Sequence, residues 1–244
     1  MKIENLNVKK GDKHILKDLS IEFEPNKIHI IMGQNGCGKS TLVNSIAGHP
    51  DCEVISGSVS FNDINILEKE VHERALEGIY LSPQYPPVIE GLSHASFLKE
   101  SLNAKNKYLN KDEVDSYEFL KLLKNKVQKF SFDPKNYPKQ SLNSGFSGGE
   151  KKRNEILQID LLQPKFVFMD EIDSGLDIEA MKMIADFIKE YKSQGHTLVI
   201  ITHYPNFAEN LDADYFHVMK DGKFIKTGGK EVLSQVIQSG FKEF

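Results

Sequence analysis

Apolar and polar residues alternate in two segments near the start of the chain, Lys2 to Val8 and Leu16 to Phe23, which Gly11-Asp12 separates. A period of two broken by a glycine turn predicts an antiparallel hairpin. A further strand is expected after Gly57, with a turn at Asn62-Asp63 closing it onto a partner strand. These segments predict an antiparallel β subdomain at the start of the chain.

Three continuous apolar runs, Ile28 to Met32, Phe166 to Met169 and Thr197 to Ile201, have the pattern of strands buried on both faces. Between the last two, Ile178 to Tyr191 carries apolar residues at helical spacing. Strands that alternate with helices in this way predict an α/β core with a mostly parallel sheet.

The middle of the chain is helical in pattern. Apolar residues recur at steps of three and four from Leu92 to about Lys129, and a further helix is predicted from Gly148 to Leu162. We therefore expect a single domain over residues 1–244, in which 1–91 and 163–244 form a catalytic core with the β subdomain. An inserted helical subdomain is expected at about 92–162.

Composition narrows the classes of protein that are compatible with this pattern. The net charge of −4 does not favour a nucleic-acid partner, and two cysteines are too few for a disulfide framework. The first residues lack a secretory apolar core, and no apolar run approaches the ~20 residues of a membrane helix. We expect a cytoplasmic protein that is not inserted into a membrane.

The strongest chemical signal follows the run that ends at Met32. It matches the phosphate-binding pattern G-x-x-x-x-G-K-[ST] between a predicted strand and a predicted helix. In such a loop backbone N–H groups close on phosphate oxygens, the lysine reaches the terminal phosphates, and the serine hydroxyl ligates Mg²⁺. The predicted nucleotide-binding residues are Gly33, Gln34, Asn35, Gly36, Cys37, Gly38, Lys39, Ser40 and Thr41.

Two carboxylates, Asp170 and Glu171, stand at the carboxyl end of a predicted buried strand, where open α/β sheets bind ligands. Beside a phosphate-binding loop, Asp170 is expected to help hold Mg²⁺. Glu171 is expected to orient or deprotonate the attacking water.

A second glycine-rich stretch, Ser147-Gly148-Gly149-Glu150, opens a predicted helix. Ser147 and Glu150 have the spacing of a capping box, which is the plain structural interpretation. Two glycines in the first turn also leave N–H groups accessible at a positive helix end, which favours an anion site. If this site and the phosphate loop lie on separate lobes, a second copy of the chain is implied.

Taken together, these motifs resemble the ABC-type ATPase family across essentially the whole chain. The matching features, in order, are the phosphate loop, Gln84 after a strand, Ser147-Gly148-Gly149, Asp170-Glu171, Ser174-Gly175-Leu176-Asp177, and His203 after a strand. The resemblance implies head-to-tail pairing of two cassettes, with the signature loop of one against the ATP held by the other. It also implies that Gln84 senses Mg²⁺ and water and that Glu171 is the general base. Asp177 would couple the two sites, and His203 would contact the γ-phosphate.

A narrower resemblance points to the SufC group, the ATPases of the Suf iron-sulfur cluster assembly system. The stretches that carry it are 73–79, 84–86, 145–158 and 170–177. It implies partners of the SufB and SufD scaffold type and an ATP-dependent transient dimer of the ATPase. It further implies a bacterial cytosol, with an organelle matrix left open.

The motifs are also compatible with two other classes of ATPase. The motor subunit of an ABC membrane transporter is the main alternative, and a chromosome or repair ATPase is disfavoured because no long coiled-coil arms are present.

ABC cassettes often stack adenine on an aromatic residue before the second strand. The segment 9–14 offers no Tyr, Phe or Trp for this purpose, and His14 is a weak substitute.

Overall fold

Unbroken apolar runs form the central strands of the structure, a computed structural model that describes residues 1–241. The strands are β1 (Lys2–Lys10), β2 (Lys13–Glu22), β3 (Ile28–Met32), β4 (Glu53–Phe61), β5 (Ile64–Asn65), β6 (Ile79–Ser82), β7 (Ile89–Ser93), β8 (Ser141–Leu142), β9 (Phe166–Asp170), β10 (Thr197–Ile201), β11 (Tyr215–Lys220) and β12 (Lys223–Gly228). The helices are α1 (Lys39–Ala47), α2 (Val71–Leu76), α3 (His94–Tyr108), α4 (Ser116–Lys129), α5 (Gly148–Leu162), α6 (Ile178–Ser193), α7 (Pro205–Asn210) and α8 (Lys230–Ser239), with 3-10 turns at Ile66–Glu68 and Tyr137–Lys139.

The chain divides into two compact units, which are described separately below. The first unit comprises Met1–Gln84, Lys165–Ser174 and the residues from Ala185 onward. The second unit comprises Tyr85–Pro164 and Gly175–Ile184.

The first unit contains a six-stranded sheet in the order β12-β11-β3-β10-β9-β6. All pairings are parallel except β11 with β12, so the predicted α/β fold with a mostly parallel sheet is confirmed. Every residue of β3, β9 and β10 is buried, as expected for strands covered on both faces. The carboxyl ends of the parallel strands meet at one edge, which is where ligands bind in such sheets.

A four-stranded antiparallel sheet in the order β2-β1-β4-β5 forms the predicted β subdomain. The hairpin of β1 and β2 is present, and Asn62-Asp63 forms the turn between β4 and β5. The expectation that the strand starts after Gly57 was wrong, because β4 begins at Glu53 and contains this glycine. A Cβ at Gly57 would lie 2.6 Å from Leu6 Cα, so the glycine permits a close crossing over β1 at a register shift.

Apolar side chains from both sheets share the core of the first unit. Phe23 packs edge-on against Phe166 and Phe168, with ring centroids 6.2 and 6.5 Å apart. Leu6 and Leu16 belong to the same buried cluster. Each such side chain contributes about 1.5–3 kcal/mol by leaving water. This packing fixes the strand ends that carry the candidate site.

The second unit consists of α3, α4, α5, the first part of α6 and a small β7–β8 pair. The helical pattern was expected from Leu92, but this residue lies in β7 and the helix begins at His94. Ser93 caps that helix, since its hydroxyl accepts a hydrogen bond from Ser96 N at 3.1 Å. The predicted bounds of α5 are confirmed.

Candidate functional site

The phosphate-binding loop connects β3 to α1 in the first unit. A Cβ at Gly33 would lie 2.3 Å from Met219 O, so only glycine permits this close approach of the backbone. Gly36 and Gly38 adopt φ angles of 78° and 112°, which side chains of other residues disfavour. No described side chain caps α1, so its positive N-terminal end faces the loop without a competing oxygen. The loop has the backbone geometry that an anion site requires.

Lys39 lies over this loop and is 5% exposed. Its ammonium donates hydrogen bonds to Gly33 O at 2.9 Å and Gln34 O at 3.0 Å. The Sγ atom of Cys37 is 3.9 Å from the same nitrogen. Burial raises the pKa of the Cys37 thiol, which disfavours its thiolate form.

A cleft of about 610 Å³ adjoins the loop and brings together residues from five parts of the first unit. Gln34 and Cys37 line a separate pocket of about 130 Å³, while Asn35 and Gly36 line both. Asp170 is buried at the end of β9 and does not line the cleft. The cleft is lined by Ile15, Asn35, Gly36, Gly38, Lys39, Ser40, Thr41, Gln84, Glu171 and His203.

Glu171 is the centre of a short hydrogen-bonded group in this cleft. Gln84 Nε2 donates to Glu171 Oε2 at 2.5 Å, and His203 Nε2 donates to Glu171 Oε1 at 3.0 Å. Three residues that lie far apart in sequence, and that the sequence predicted as site residues, therefore meet at one carboxylate.

The backbone of Glu171 is also unusual. Its φ is 50°, in the left-handed region that few non-glycine residues adopt. Its N–H donates to Ile201 O at 3.0 Å, and its carbonyl accepts from the Ser174 hydroxyl at 2.9 Å. Backbone held in this region often marks a functional segment.

Sequence reasoning missed Ile15, which comes from β2 and lines the cleft. The residues directly before Ile15, segment 9–14, contain no aromatic ring that could stack on adenine other than His14. His14 is exposed, and its Nε2 lies 3.0 Å from Asn7 Oδ1. The apolar residue that reaches the cleft, Ile15, is therefore one position beyond segment 9–14.

A further pocket, of about 490 Å³, lies in the second unit at the start of α5. The predicted capping box is present: Ser147 Oγ accepts from Glu150 N at 3.3 Å, and Glu150 Oε2 accepts from Ser147 N at 2.8 Å. The Ser147 N–H and hydroxyl both donate to Glu150 Oε2 at 2.8 Å, and these two bonds lower the pKa of the Glu150 carboxyl. Asp177 Oδ1 accepts from Ala180 N at 2.7 Å near the start of α6. The pocket is lined by Ser147, Gly148, Gly149, Glu150, Arg153, Gly175, Asp177 and Ala180.

An aromatic stack precedes the signature residues Ser147-Gly148-Gly149. The His94 ring lies 4.3 Å from Tyr137 and 5.2 Å from Phe146, measured between ring centroids. Burial lowers the pKa of His94 to about 4, and its Nε2 accepts from Asn143 N at 3.2 Å. The neutral imidazole thus helps to fix the segment that leads into Ser147.

Buried side chains connect that segment to α5. Tyr137 OH donates to Asn154 Oδ1 at 2.5 Å, and Asn154 Nδ2 donates to Asn143 Oδ1 at 2.8 Å. Asn143 Nδ2 in turn donates to Pro87 O at 2.8 Å. Because each of these groups has a partner, the chain of hydrogen bonds rigidifies the support of the signature loop.

A sequence profile described as ABC transporter matches residues 16–174, which is more than half of the chain. The chain belongs to the ABC-type ATPase family. As a member of this family it binds nucleotide and is an ATPase.

Known proteins resemble this ABC-type ATPase over nearly its whole length. It is 39% identical over 241 residues to a probable ATP-dependent transporter SufC of Escherichia coli, covering 99% of this chain and 97% of that protein. It is also 39% identical to an iron-sulfur cluster assembly protein SufC of Plasmodium berghei, covering 96% of this chain and 64% of that protein.

Solved structures confirm the fold. A dimeric ATP-binding cassette in a post-hydrolysis state, bound to ADP and Pi, superposes with a TM-score of 0.77 at 21% identity. The match covers 93% of this ATPase and 97% of that chain.

Within residues 1–241, no helix is long and apolar enough to cross a bilayer. The same residues contain no group of three or more His, Cys, Asp and Glu side chains placed to hold a metal ion.

Proposed function

We propose that this ABC-type ATPase is the ATP-hydrolysing subunit of a Suf-type scaffold for iron-sulfur cluster assembly. The observation that carries the catalytic part is the meeting of Gln84, Glu171 and His203 at one cleft beside the phosphate-binding loop. The relatives named SufC, at 39% identity over nearly the whole chain, support the assignment to iron-sulfur cluster assembly. We treat residues 1–244 as one ABC ATPase domain with a helical subdomain inserted at about 92–162.

The phosphates of ATP bind the N–H groups of the loop from Gly33 to Thr41, with the Lys39 ammonium on the terminal phosphates. Lys39 then exchanges its contacts with Gly33 O and Gln34 O for phosphate oxygens. Ser40 and Gln84, which line the cleft, and Asp170, which is buried at the end of β9, would hold Mg²⁺ through their oxygen atoms. When bound, this ion neutralises charge that develops on the phosphates.

Glu171 is the general base for the attacking water. In the structure its two carboxylate oxygens are engaged by Gln84 and His203. Each of these oxygens keeps a further lone pair that can accept a proton from the attacking water. The Nε2 proton of His203 points to Glu171, so this bond has to open before His203 can donate to the γ-phosphate.

Activation comes from a second copy of the chain. Ser147, Gly148, Gly149 and Asp177 lie around a pocket of the second unit, whereas the phosphate loop lies in the first. In a head-to-tail dimer the accessible N–H groups at the start of α5 contact the γ-phosphate held by the partner. A solved cassette of the same fold is dimeric with ADP and Pi bound, and this fits a dimer of the present chain.

Proteins of the SufB and SufD type are the proposed partners, and ATP-driven dimerisation remodels them. The proposal includes neither a nucleic-acid partner nor insertion of the chain into a membrane, and it assigns the protein to bacterial cytosol or an organelle matrix. Weak hydrolysis by the isolated chain is expected because each site is half built.

The steady-state rate of ATP hydrolysis, measured alone and with SufB- and SufD-type proteins from the same source, tests the proposal. We expect stimulation by the partners, and the Glu171→Gln variant serves as the inactive control. Equal rates with and without partners would count against the scaffold assignment.

The second candidate function is the motor of an ABC membrane transporter. The family profile and the printed name of the Escherichia coli relative both describe transporters. Affinity purification from the native source separates the candidates. Recovery with soluble scaffold proteins supports the first, whereas recovery with integral membrane proteins supports the second.

A further inference from the structure

We infer that Asp173 and Thr202 are a positioning pair that sets the spacing between Glu171 and His203. This inference rests on the proposed roles of Glu171 and His203 in hydrolysis. Neither Asp173 nor Thr202 lines the cleft, so their effect on the reaction passes through the two residues that do.

The two side chains meet in the interior of the first unit. Asp173 is 4% exposed and Thr202 is 1% exposed. The Thr202 hydroxyl donates to Asp173 Oδ2 and accepts from Tyr204 N at 2.9 Å. One hydroxyl therefore fixes the backbone on both sides of His203.

Three hydrogen bonds join the segment after β9 to the end of β10 and the segment that follows it. Glu171 N donates to Ile201 O, and His203 Nε2 donates to Glu171 Oε1, both at 3.0 Å. The third is the bond between Asp173 and Thr202. The bond from Glu171 N is a backbone bond, and the bond from His203 joins the proposed catalytic side chains. Only the bond between Asp173 and Thr202 can therefore be removed by a substitution that leaves the side chains of Glu171 and His203 in place.

Fold stability alone does not explain a carboxyl at position 173. Burial raises the pKa of Asp173, and its Oδ1 has no hydrogen-bond partner among the described residues. A carboxyl in such surroundings is costly compared with an apolar side chain of similar size. The Asp173 carboxyl instead supplies a hydrogen-bond acceptor for Thr202. Asp173 lies two residues after Glu171, whose backbone has a φ of 50°.

The first test compares Thr202→Val with Thr202→Ser in the full chain. Valine keeps the shape but loses both hydrogen bonds, whereas serine keeps them. We expect Thr202→Val to lower kcat for ATP hydrolysis about 10-fold or more with a KM for ATP within about 2-fold of wild type. Thr202→Ser should retain kcat within about 2-fold. An unchanged kcat in Thr202→Val, or a change in KM alone, would overturn the inference.

A second pair of variants covers the case in which Thr202→Val fails to fold. Asp173→Asn keeps an oxygen acceptor for Thr202, whereas Asp173→Leu removes it and keeps the branched shape of the side chain. Asp173→Asn should be at least about 5-fold more active than Asp173→Leu, because only the amide oxygen maintains the spacing. Equal activities of the two would contradict a positioning role.

A double-mutant cycle tests whether the two residues act together. If one shared bond carries the effect, Asp173→Leu combined with Thr202→Val should lower kcat no further than the more damaging single change. Losses that multiply would show independent effects and would overturn the pair.

Glu171→Gln, measured in the same series, separates this inference from the proposed function. If Glu171→Gln retains full activity, the proposed role of Glu171 fails and the positioning pair fails with it. If Glu171→Gln is inactive while Thr202→Val is fully active, only the positioning pair fails.

Discussion

The imidazoles of His29 and His217 lie 3.0 Å apart, Nδ1 to Nε2, on the neighbouring strands β3 and β11. Their tautomers follow from their other partners. The carbonyl of Glu24 can only accept, so His29 Nε2, 3.0 Å away, carries a proton. His29 Nδ1 then accepts from His217 Nε2, and His217 Nδ1 accepts from the Thr227 hydroxyl at 2.9 Å. Every nitrogen is satisfied only while both rings are neutral.

This chain of neutral rings predicts acid sensitivity of the fold. Burial lowers the pKa of both histidines, to about 3 for His217, from an ordinary value of 6.5. The unfolded chain therefore binds protons below pH 6.5 that the folded chain does not. The stabilisation is fully present above pH 6.5 and is lost as the pH falls toward 3.

Urea unfolding between pH 7.5 and 5 measures this effect. His217 alone should account for a loss of about 2 kcal/mol in the free energy of unfolding over that range. The His217→Gln variant is expected to be less stable overall. Its free energy of unfolding should fall by less than that of wild type over the same pH range. An identical pH dependence in variant and wild type would contradict the assignment.

Glu171→Gln tests the proposed general base. The amide keeps a side chain of the same size beside Gln84 and His203 but cannot accept the proton of water. Hydrolysis should fall by about 100-fold or more. ATP should then trap a dimer that gel filtration resolves from the monomer. A variant that stays monomeric with ATP and Mg²⁺ would argue against ATP-driven dimerisation.

Tyr137→Phe tests the buried chain of hydrogen bonds behind the signature loop. The change removes the donor to Asn154 Oδ1 and should lower the free energy of unfolding by about 1–3 kcal/mol. Tyr117→Phe is the matched control, because the Tyr117 side chain is 78% exposed. The control should change the free energy by less than about 0.5 kcal/mol. Equal effects of the two changes would show that the buried bond contributes nothing.

Ile15→Tyr tests how the adenine base is held. Ile15 lines the cleft, but its side chain is too small to stack on a purine. This change should increase the affinity for ATP about 3- to 10-fold relative to wild type, while the affinity for inorganic triphosphate stays the same. Isothermal titration of both ligands measures the difference. An equal gain for both ligands, or no gain, would show that the base does not reach this position.

The sequence was most informative where local chemistry and pattern agree. The start of α5 was predicted from its capping box, and the bounds of β10 were predicted from an unbroken apolar run rich in β-branched residues. The phosphate loop was recognisable because its glycines and Lys39 are contiguous.

What the sequence did not reveal depends on contacts between distant segments. Gly57 was misread as a strand boundary, because only its crossing over β1 shows why glycine is needed inside β4. β7 and β8 were missed, since they are short and pair across about fifty residues. Asp173 and Thr202 gave no signal, because each is an ordinary polar residue until the fold brings them together.

Each ATP pocket is proposed to be shared between two copies of the chain. Mixing two inactive variants tests this sharing most directly. Lys39→Ala disables the phosphate loop and leaves the signature loop intact, whereas Ser147→Arg does the reverse. In a head-to-tail dimer of the two, one pocket combines both intact halves. Neither variant alone should hydrolyse ATP, and an equal mixture should recover about a quarter of the wild-type rate, because half of the dimers are mixed and each has one intact pocket. A mixture as inactive as its components, or full activity of Ser147→Arg alone, would contradict the account.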